Sequence, residues 1–258
     1  MSLTDDVVAR LRAAGCVWAE VEAGLLLEAA ASPAVLESLV SRRVAGEPLE
    51  LVLGWVAFMG RRLRVAPGVF VPRRRTELLA RTAAAEAAAR TLPGRSPAVV
   101  VEMCCGVAPV AACLPAVVEV HAADVSSVAL SCARSNAPRA ALHEGDLYDA
   151  LPRTLRGRVD VLAANAPYVP TRRVGDMPPE ARDHEPLAAL DGGDDGVDLH
   201  RRLAGEAREW LAPGGVLVVE TSRSQAGLTA EAMTTAGLVT RVVEDPEVGG
   251  CVVVGGRP

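Results

Sequence analysis

The chain has 258 residues, a net charge of −5, 50% hydrophobic and 3% aromatic side chains. This length provides for one large domain or two modest ones with a sizeable core, and the hydrophobic content excludes a disordered chain. Lysine is absent, and the charge is uneven: +3 over residues 1–97 and −8 over residues 98–258. That balance disfavours a nucleic-acid footprint, and so few aromatics disfavour a base-stacking platform.

The N-terminus, Met1-Ser2-Leu3-Thr4-Asp5-Asp6, lacks the basic start and apolar core of a signal peptide. The longest uncharged run lies between Glu102 and Glu119. It falls short of the ~20 residues a spanning helix needs, and Pro109 and Pro115 interrupt it. Six cysteines form no CxxC pair, which argues against zinc. Their apolar settings predict buried free thiols of a cytoplasmic protein.

Residues 4–45 read as helices, because Val7, Val8, Leu11 and then Val21, Leu25, Leu26 recur at helical spacing. Ser32-Pro33 predicts an N-cap and first helical residue, opening a helix to about Val44 that Gly46-Glu47-Pro48 ends. Over residues 51–71 the period changes, and Val56, Phe58, Leu63 and Val65 around Gly60 predict a short hairpin. Thr76 is placed as the cap of an Ala-rich helix to about Arg90, and Pro93-Gly94-Arg95-Ser96-Pro97 reads as a linker. From residue 98 strands and helices alternate. Strands are expected at 98–102, 117–123, 159–163, 215–220, 238–243 and 251–254, with one more before Asp146. Helices are expected at about 109–114, 126–136, 198–211 and 225–236. The alternation predicts an α/β domain with a mostly parallel sheet, whose ligands lie beyond the carboxyl ends of the strands.

The chemistry is therefore sought just after each strand. The turn Glu102-Met103-Cys104-Cys105-Gly106-Val107-Ala108-Pro109 leads into a helix, where a nucleotide can approach the backbone. Asp124 follows the second strand at the place of a ribose-binding acid, and Asp146-Leu147 follows the third, where it can face an adenine amino group. Asn165-Ala166-Pro167-Tyr168 follows the fourth. The Asn side-chain oxygen and the residue-166 carbonyl are two acceptors suited to a planar N–H₂ group; Pro167 stiffens the turn and Tyr168 offers a flat face. Asp191-Gly192-Gly193-Asp194-Asp195-Gly196 lacks EF-hand spacing and reads as a turn. His121, His143, His184 and His200 form no triad and read as solvated or packed imidazoles. Arg73-Arg74-Arg75 reads as a solvated face.

Taken together, several segments resemble the protein-(glutamine-N5) methyltransferases of the HemK/PrmC type. They are Arg42-Arg43 with Gly46-Glu47-Pro48-Leu49, Gly68-Val69-Phe70-Val71-Pro72-Arg73 with Thr76-Glu77, Glu185-Pro186, the stretch from Asp191 to Gly196, and Gly214-Gly215 through Glu220 with Gln225. Two positions depart from the family pattern. Asn165-Ala166-Pro167-Tyr168 stands for the usual Asn-Pro-Pro-Tyr, as in a related subgroup of unknown substrate. Cys104, Gly106 and Ala108 stand where three glycines are usual, and Cys104 puts a Cβ where backbone freedom is expected.

The resemblance implies a class I, Rossmann-like, seven-stranded methyltransferase domain over residues 98–258. It implies an N-terminal helical substrate-recognition domain over 1–54, and a hairpin with connecting helix over 55–97. It implies S-adenosylmethionine as cofactor and S-adenosylhomocysteine as product. Phe70, Thr76, Glu102, Cys104, Gly106, Asp124, Asp146, Leu147 and Asn165 are expected around that cofactor. Asn165, Ala166, Pro167 and Tyr168 are expected around the acceptor, with Asn165 and Tyr168 catalytic and no metal. The expected partner is a translation-related protein with an accessible glutamine. Two other readings stay open at this point: an N-methyltransferase of a small molecule or nucleobase, and a non-enzymatic binding protein with a degenerate cofactor site.

Overall fold

The computed structural model describes residues 2–91 and 96–258, so Pro93, Gly94 and Arg95 of the expected linker lie outside the described residues. The chain opens with α1 (Leu3–Ala13), α2 (Ala19–Ala29), α3 (Pro33–Val44) and α4 (Leu49–Leu53). Ser2 and Asp5 form a reciprocal capping box on α1, and Ser32 caps α3 through the Val35 N–H, with Pro33 at the first position as expected. Val7, Leu11, Leu26, Leu36 and Val40 close a small core between these helices. Arg43 is buried among them on Glu22 (2.6 Å).

The expected change of period comes slightly later than residue 51. Leu49–Leu53 still form one helical turn, which Gly54 ends at a φ of 78°. The hairpin then follows as β1 (Trp55–Phe58) and β2 (Arg61–Arg64), joined by Met59 and Gly60, both at positive φ. That backbone twist matches the twist of the flanking strands. Beyond it, α5 (Glu77–Arg90) leads to the main sheet.

The sheet has seven strands: β3 (Val99–Met103), β4 (Glu119–Asp124), β5 (Ala141–Glu144), β6 (Val159–Ala164), β7 (Leu211–Glu220), β8 (Val239–Asp245) and β9 (Gly250–Gly256). Their order is β5-β4-β3-β6-β7-β9-β8, parallel throughout except for β9, which runs antiparallel to both neighbours. This is the expected class I methyltransferase sheet. The helices between strands are α6 (Pro109–Cys113), α7 (Ser127–Asn136), α8 (Pro179–His184), α9 (Asp198–Trp210) and α10 (Ala226–Thr235). The central strands are apolar on both faces because each face carries its own core. Val100, Val161 and Val218 pack with α5, α6 and the hairpin, while Val101, Leu162 and Leu217 pack with α9 and α10.

The strand order reverses between β3 and β6, so the loops after these two strands diverge and leave a crevice. Among the described residues no helix is long and apolar enough to cross a membrane. All six cysteines are free; Cys105, Cys132 and Cys251 are buried as expected, but Cys16, Cys104 and Cys113 are only half-buried, at loops and helix ends.

Candidate active site

The crevice holds a cavity of about 330 Å³, within the roughly 300–1,000 Å³ of small-molecule sites. Every residue that the sequence suggested for cofactor or acceptor lines it. Two turns dominate its walls, one after β3 and one after β6.

In the first turn Cys104, Gly106 and Ala108 all adopt left-handed φ values of 51°, 52° and 61°. These are the positions where the resemblance expects glycine, and two of them carry a Cβ. A non-glycine residue there costs roughly 1–2 kcal/mol. Glu102 holds the loop against α6: its carboxylate accepts the N–H groups of Val110 (3.0 Å) and Ala111 (2.7 Å), which the first helical turn leaves unpaired. Burial pushes this carboxyl up to about 8, and the two N–H groups oppose that rise. Asp124, at the end of β4, accepts from the N–H of Gly106 (2.7 Å) and of Ser126 (2.9 Å). It therefore ties the loop after β3 to the loop after β4. Burial raises its carboxyl as well. Asp146 stands on the exposed rim, paired with Arg202 at 2.6 Å, and the neighbouring Leu147 is buried at a φ of 46°. Phe70 reaches the cavity from the segment before α5.

In the second turn Asn165 is half-buried, and its amide nitrogen lies 3.5 Å from the Thr76 hydroxyl, the outer edge of hydrogen-bonding distance. Its side-chain oxygen has no partner among the described residues. Ala166 is fully buried. Tyr168 presents its ring to the cavity while its hydroxyl is held elsewhere, accepting from Arg75 Nε (2.8 Å) and donating to Glu220 Oε1 (3.3 Å). Burial, with Glu220 beside it, pushes the phenol up to about 12. The ring face, rather than a mobile proton, is what Tyr168 offers.

This second turn is braced from behind by distant parts of the chain. Gln225 Nε2 donates to the carbonyls of Tyr168 (2.8 Å) and Asp195 (3.0 Å). The loop 191–196 is the expected turn into α9, and it presses directly on the motif. A Cβ on Gly192 would lie 2.7 Å from the Pro167 carbonyl oxygen, and one on Gly196 would run into that of Tyr168. The segment 171–190 contributes Met177, Pro186 and Leu190 to the cavity wall. Glu185 anchors it, accepting from the Val71 N–H (3.0 Å) and Arg73 (2.7 Å), and Glu180 joins Arg43 at 2.7 Å.

Two sequence expectations are corrected. Arg73-Arg74-Arg75 is not a solvated face: Arg73 pairs with buried Glu185 and Arg75 with Tyr168 and buried Glu220, leaving Arg74 exposed. Alternate side chains of this 3₁₀ turn meet acids brought from far along the chain. Thr76 stands at the start of α5 but does not cap it, because its backbone is already helical (φ −67°, ψ −14°) and its hydroxyl faces Asn165. The supporting roles of Glu185, Glu220, Gln225 and of His200, whose buried ring on α9 lies 6.4 Å from that of Tyr168 between centroids, were not assigned from sequence. The family resemblance marked the first three positions, but their contacts are long-range.

No family model matches the chain. It is 41% identical over 194 residues to the release factor glutamine methyltransferase of Streptomyces coelicolor, covering 73% of this chain and 68% of that protein. The chain belongs to the release factor glutamine methyltransferase family. It is also 38% identical over 188 residues to a 4-amino-L-phenylalanine/4-methylamino-L-phenylalanine methyltransferase of Streptomyces pristinaespiralis, covering 70% of this chain and 63% of that one. A crystal structure of a methyltransferase from Pyrococcus furiosus superposes with a TM-score of 0.55 at 17% identity, covering 78% and 91% of the two chains, which matches the fold.

Proposed function

We propose that this protein transfers a methyl group from S-adenosylmethionine to the side-chain amide nitrogen of a glutamine in a translation-related protein. The observation that carries this reading is Asn165-Ala166 at the end of β6, facing the same cavity as the turn after β3. The cavity fits the cofactor: left-handed backbone at Cys104–Ala108, a half-buried acid at Asp124 and apolar walls at Phe70 and Leu147 suit an amino acid, ribose and base. Asp124 would hold the ribose, Asp146 and Leu147 the base, and Gly106 with Phe70 and Thr76 the methionine end. Glu102 acts there through the loop it shapes.

The cofactor supplies an electrophilic methyl group. An amide nitrogen is a poor nucleophile, because its lone pair is shared with the carbonyl. Asn165 Oδ1 and the Ala166 carbonyl accept its two N–H groups and aim the nitrogen. Such positioning lowers barriers by up to ~7–11 kcal/mol in ideal cases. The same acceptors stabilise the positive charge that grows on nitrogen. Tyr168 packs on the amide plane, and the released proton leaves to water. Alanine at position 166 keeps the carbonyl this role needs, so the altered motif is compatible with the chemistry.

Recognition of the protein acceptor is assigned to the helical region 1–54, where Val17, Trp18 and Val21 stand exposed at the start of α2. A second reading, N-methylation of a small aromatic amine, is favoured by the likeness to the 4-amino-L-phenylalanine enzyme.

The test incubates the purified chain with methyl-labelled S-adenosylmethionine and either an intact bacterial release factor or 4-amino-L-phenylalanine. Label mapped to a glutamine side chain supports the proposal. Label on the amino acid alone replaces it with the second reading. Absence of cofactor binding by calorimetry, with the protein folded, overturns both.

A further inference from the structure

Among the described residues Arg75 is the only basic side chain in the cavity wall, where Glu102, Asp124 and Asp146 also stand. Those three acids are engaged: Glu102 and Asp124 on backbone N–H groups, Asp146 on Arg202. Arg75 is engaged at one atom. Its Nε lies 2.8 Å from the Tyr168 hydroxyl and 3.3 Å from Glu220 Oε1. Nη1 and Nη2 bond no group among the described residues, and the side chain is 41% exposed beside a Glu220 that is 1% exposed.

An arginine beside a carboxylate frequently closes a fork, with two parallel N–H groups on two oxygens. Here the Tyr168 hydroxyl shares Glu220 Oε1 at 3.3 Å, and the single Nε–H serves both oxygens. The ion pair thus holds the inner end of the guanidinium and leaves its outer edge, between Nη1 and Nη2, with parallel N–H groups. A guanidinium keeps its proton, so that edge stays cationic. Because Nε is held, the fork loses little freedom when a ligand docks. The guanidinium carbon lies 5.9 Å from the centre of the Tyr168 ring, so the fork flanks the aromatic face proposed to carry the acceptor's N–H₂ group. Met177, Pro186 and Leu190 add wall to the same cavity without charge.

We infer that Arg75 is a specificity-determining residue that selects an acceptor carrying a carboxylate close to the methylated nitrogen. This rests on the acceptor role proposed above for Asn165–Tyr168. The carboxylate takes the Nη1–Nη2 edge while the acceptor's N–H₂ group meets Asn165 and Ala166. An acidic side chain beside a glutamine in a protein and the α-carboxylate of a free amino acid supply the same chemistry. An uncharged acceptor leaves the guanidinium edge unmatched and is disfavoured for that reason.

The test crosses acceptor charge with Arg75, by calorimetric titration of full-length protein saturated with S-adenosylhomocysteine. The probes are 4-amino-L-phenylalanine and its carboxamide, and two glutamine peptides that differ only in aspartate or asparagine beside the glutamine. Wild type is expected to bind the carboxylate member of one pair about tenfold to a hundredfold more tightly, and Arg75→Gln to bind both members of that pair within about twofold of each other. The pair that discriminates identifies the source of the carboxylate. Arg75→Gln leaves buried Glu220 without its cation, so the titrations are repeated with the double variant Arg75→Gln, Glu220→Gln. Equal affinity of wild type for both members of each pair, or binding of no probe, overturns the inference. So does an equal loss for both members in the variants, which reduces Arg75 to a support of Tyr168. A second titration compares S-adenosylhomocysteine with 5′-methylthioadenosine, which lacks the amino-acid carboxylate. Weaker binding of the first alone in the variants assigns Arg75 to the cofactor and overturns the inference. Wild type that binds no S-adenosylhomocysteine overturns the functional proposal and this inference together; the other failures leave the functional proposal standing.

Discussion

The two turns that wall the cavity reach their shapes by opposite means. The turn after β3 is shaped locally, by left-handed backbone at residues 104, 106 and 108 and by Glu102 and Asp124 on nearby N–H groups. The turn after β6 is shaped remotely, by Gln225, Arg75, His200 and the glycines of 191–196 pressing on four residues. A loop that supports backbone approach to a ligand needs conformational freedom. A turn that presents two acceptors in fixed directions needs rigid backing. The first turn carries non-glycine residues at Cys104 and Ala108 at a cost in strain, while the second depends on residues as distant as Glu220.

The most severe disturbance removes an acceptor outright. Asn165→Ala is expected to lower kcat by about a hundredfold or more, in the range for deleting one preorganised polar contact. Because Asn165 is half-buried and its only side-chain bond among the described residues is the 3.5 Å contact to Thr76, unfolding stability is expected to stay near wild type. Single-turnover kinetics beside a urea titration check both halves. A rate close to wild type would remove the second turn from the chemistry.

The backing of that turn is also sensitive to pH. His200 is held neutral in the fold down to about 4, whereas an unfolded histidine takes its proton near 6.5. Between those values the unfolded chain binds the extra proton, so stability falls as pH drops from about 6.5 to about 4, by about 3 kcal/mol in all. Arg201 and Asp195 stand nearby with opposite effects on the ring. His200→Gln removes this dependence, so the difference between the two urea-unfolding profiles isolates it. Parallel profiles would show that the ring is not held neutral.

Glycine packing behind the turn is separable from glycine conformation. Gly196 and Gly214 both have positive φ, 83° and 74°. A Cβ at Gly196 would strike Gln225 Nε2 and the Tyr168 carbonyl, whereas one at Gly214 meets nothing within 4 Å. Gly214→Ala is expected to cost about 1 kcal/mol of stability from backbone strain, with kcat intact. Gly196→Ala adds a displacement of the turn, about 1–3 kcal/mol, and lowers kcat about tenfold. Equal effects of the two substitutions would mean that the loop merely sits beside the motif.

How much of this was readable from the sequence follows the same division. The alternation of strand and helix segments from residue 98 was readable, and so was the Ser32-Pro33 start of α3, because its bonds are local. The residues of both turns were readable because they sit just after strands, where an α/β sheet concentrates its ligand contacts. Arg73 and Arg75 looked like a charged surface because the acids that bury them, Glu185 and Glu220, arrive from more than a hundred positions away. The Thr229 hydroxyl that His200 meets lies on α10 and the Tyr168 ring it packs near follows β6, so spacing within α9 could show its helical face and nothing of its role.

The smallest expected effect tests the strain in the first turn. Cys104→Gly relieves roughly 1–2 kcal/mol of left-handed strain and reintroduces about 0.5–1 kcal/mol of unfolded-chain entropy. The thiol is half-buried, so little packing is lost, and the net result is a gain of about 0.5 kcal/mol. Ala108→Gly has the same two terms, but its methyl is fully buried in the core beside α6. Losing it removes about 0.8 kcal/mol, which cancels the relief. Urea midpoints are expected to rise for Cys104→Gly and to stay level or fall for Ala108→Gly. Gains of equal size would mean that the Ala108 methyl contributes no packing, and falls in both would mean that these side chains stabilise the loop more than its backbone conformation strains it.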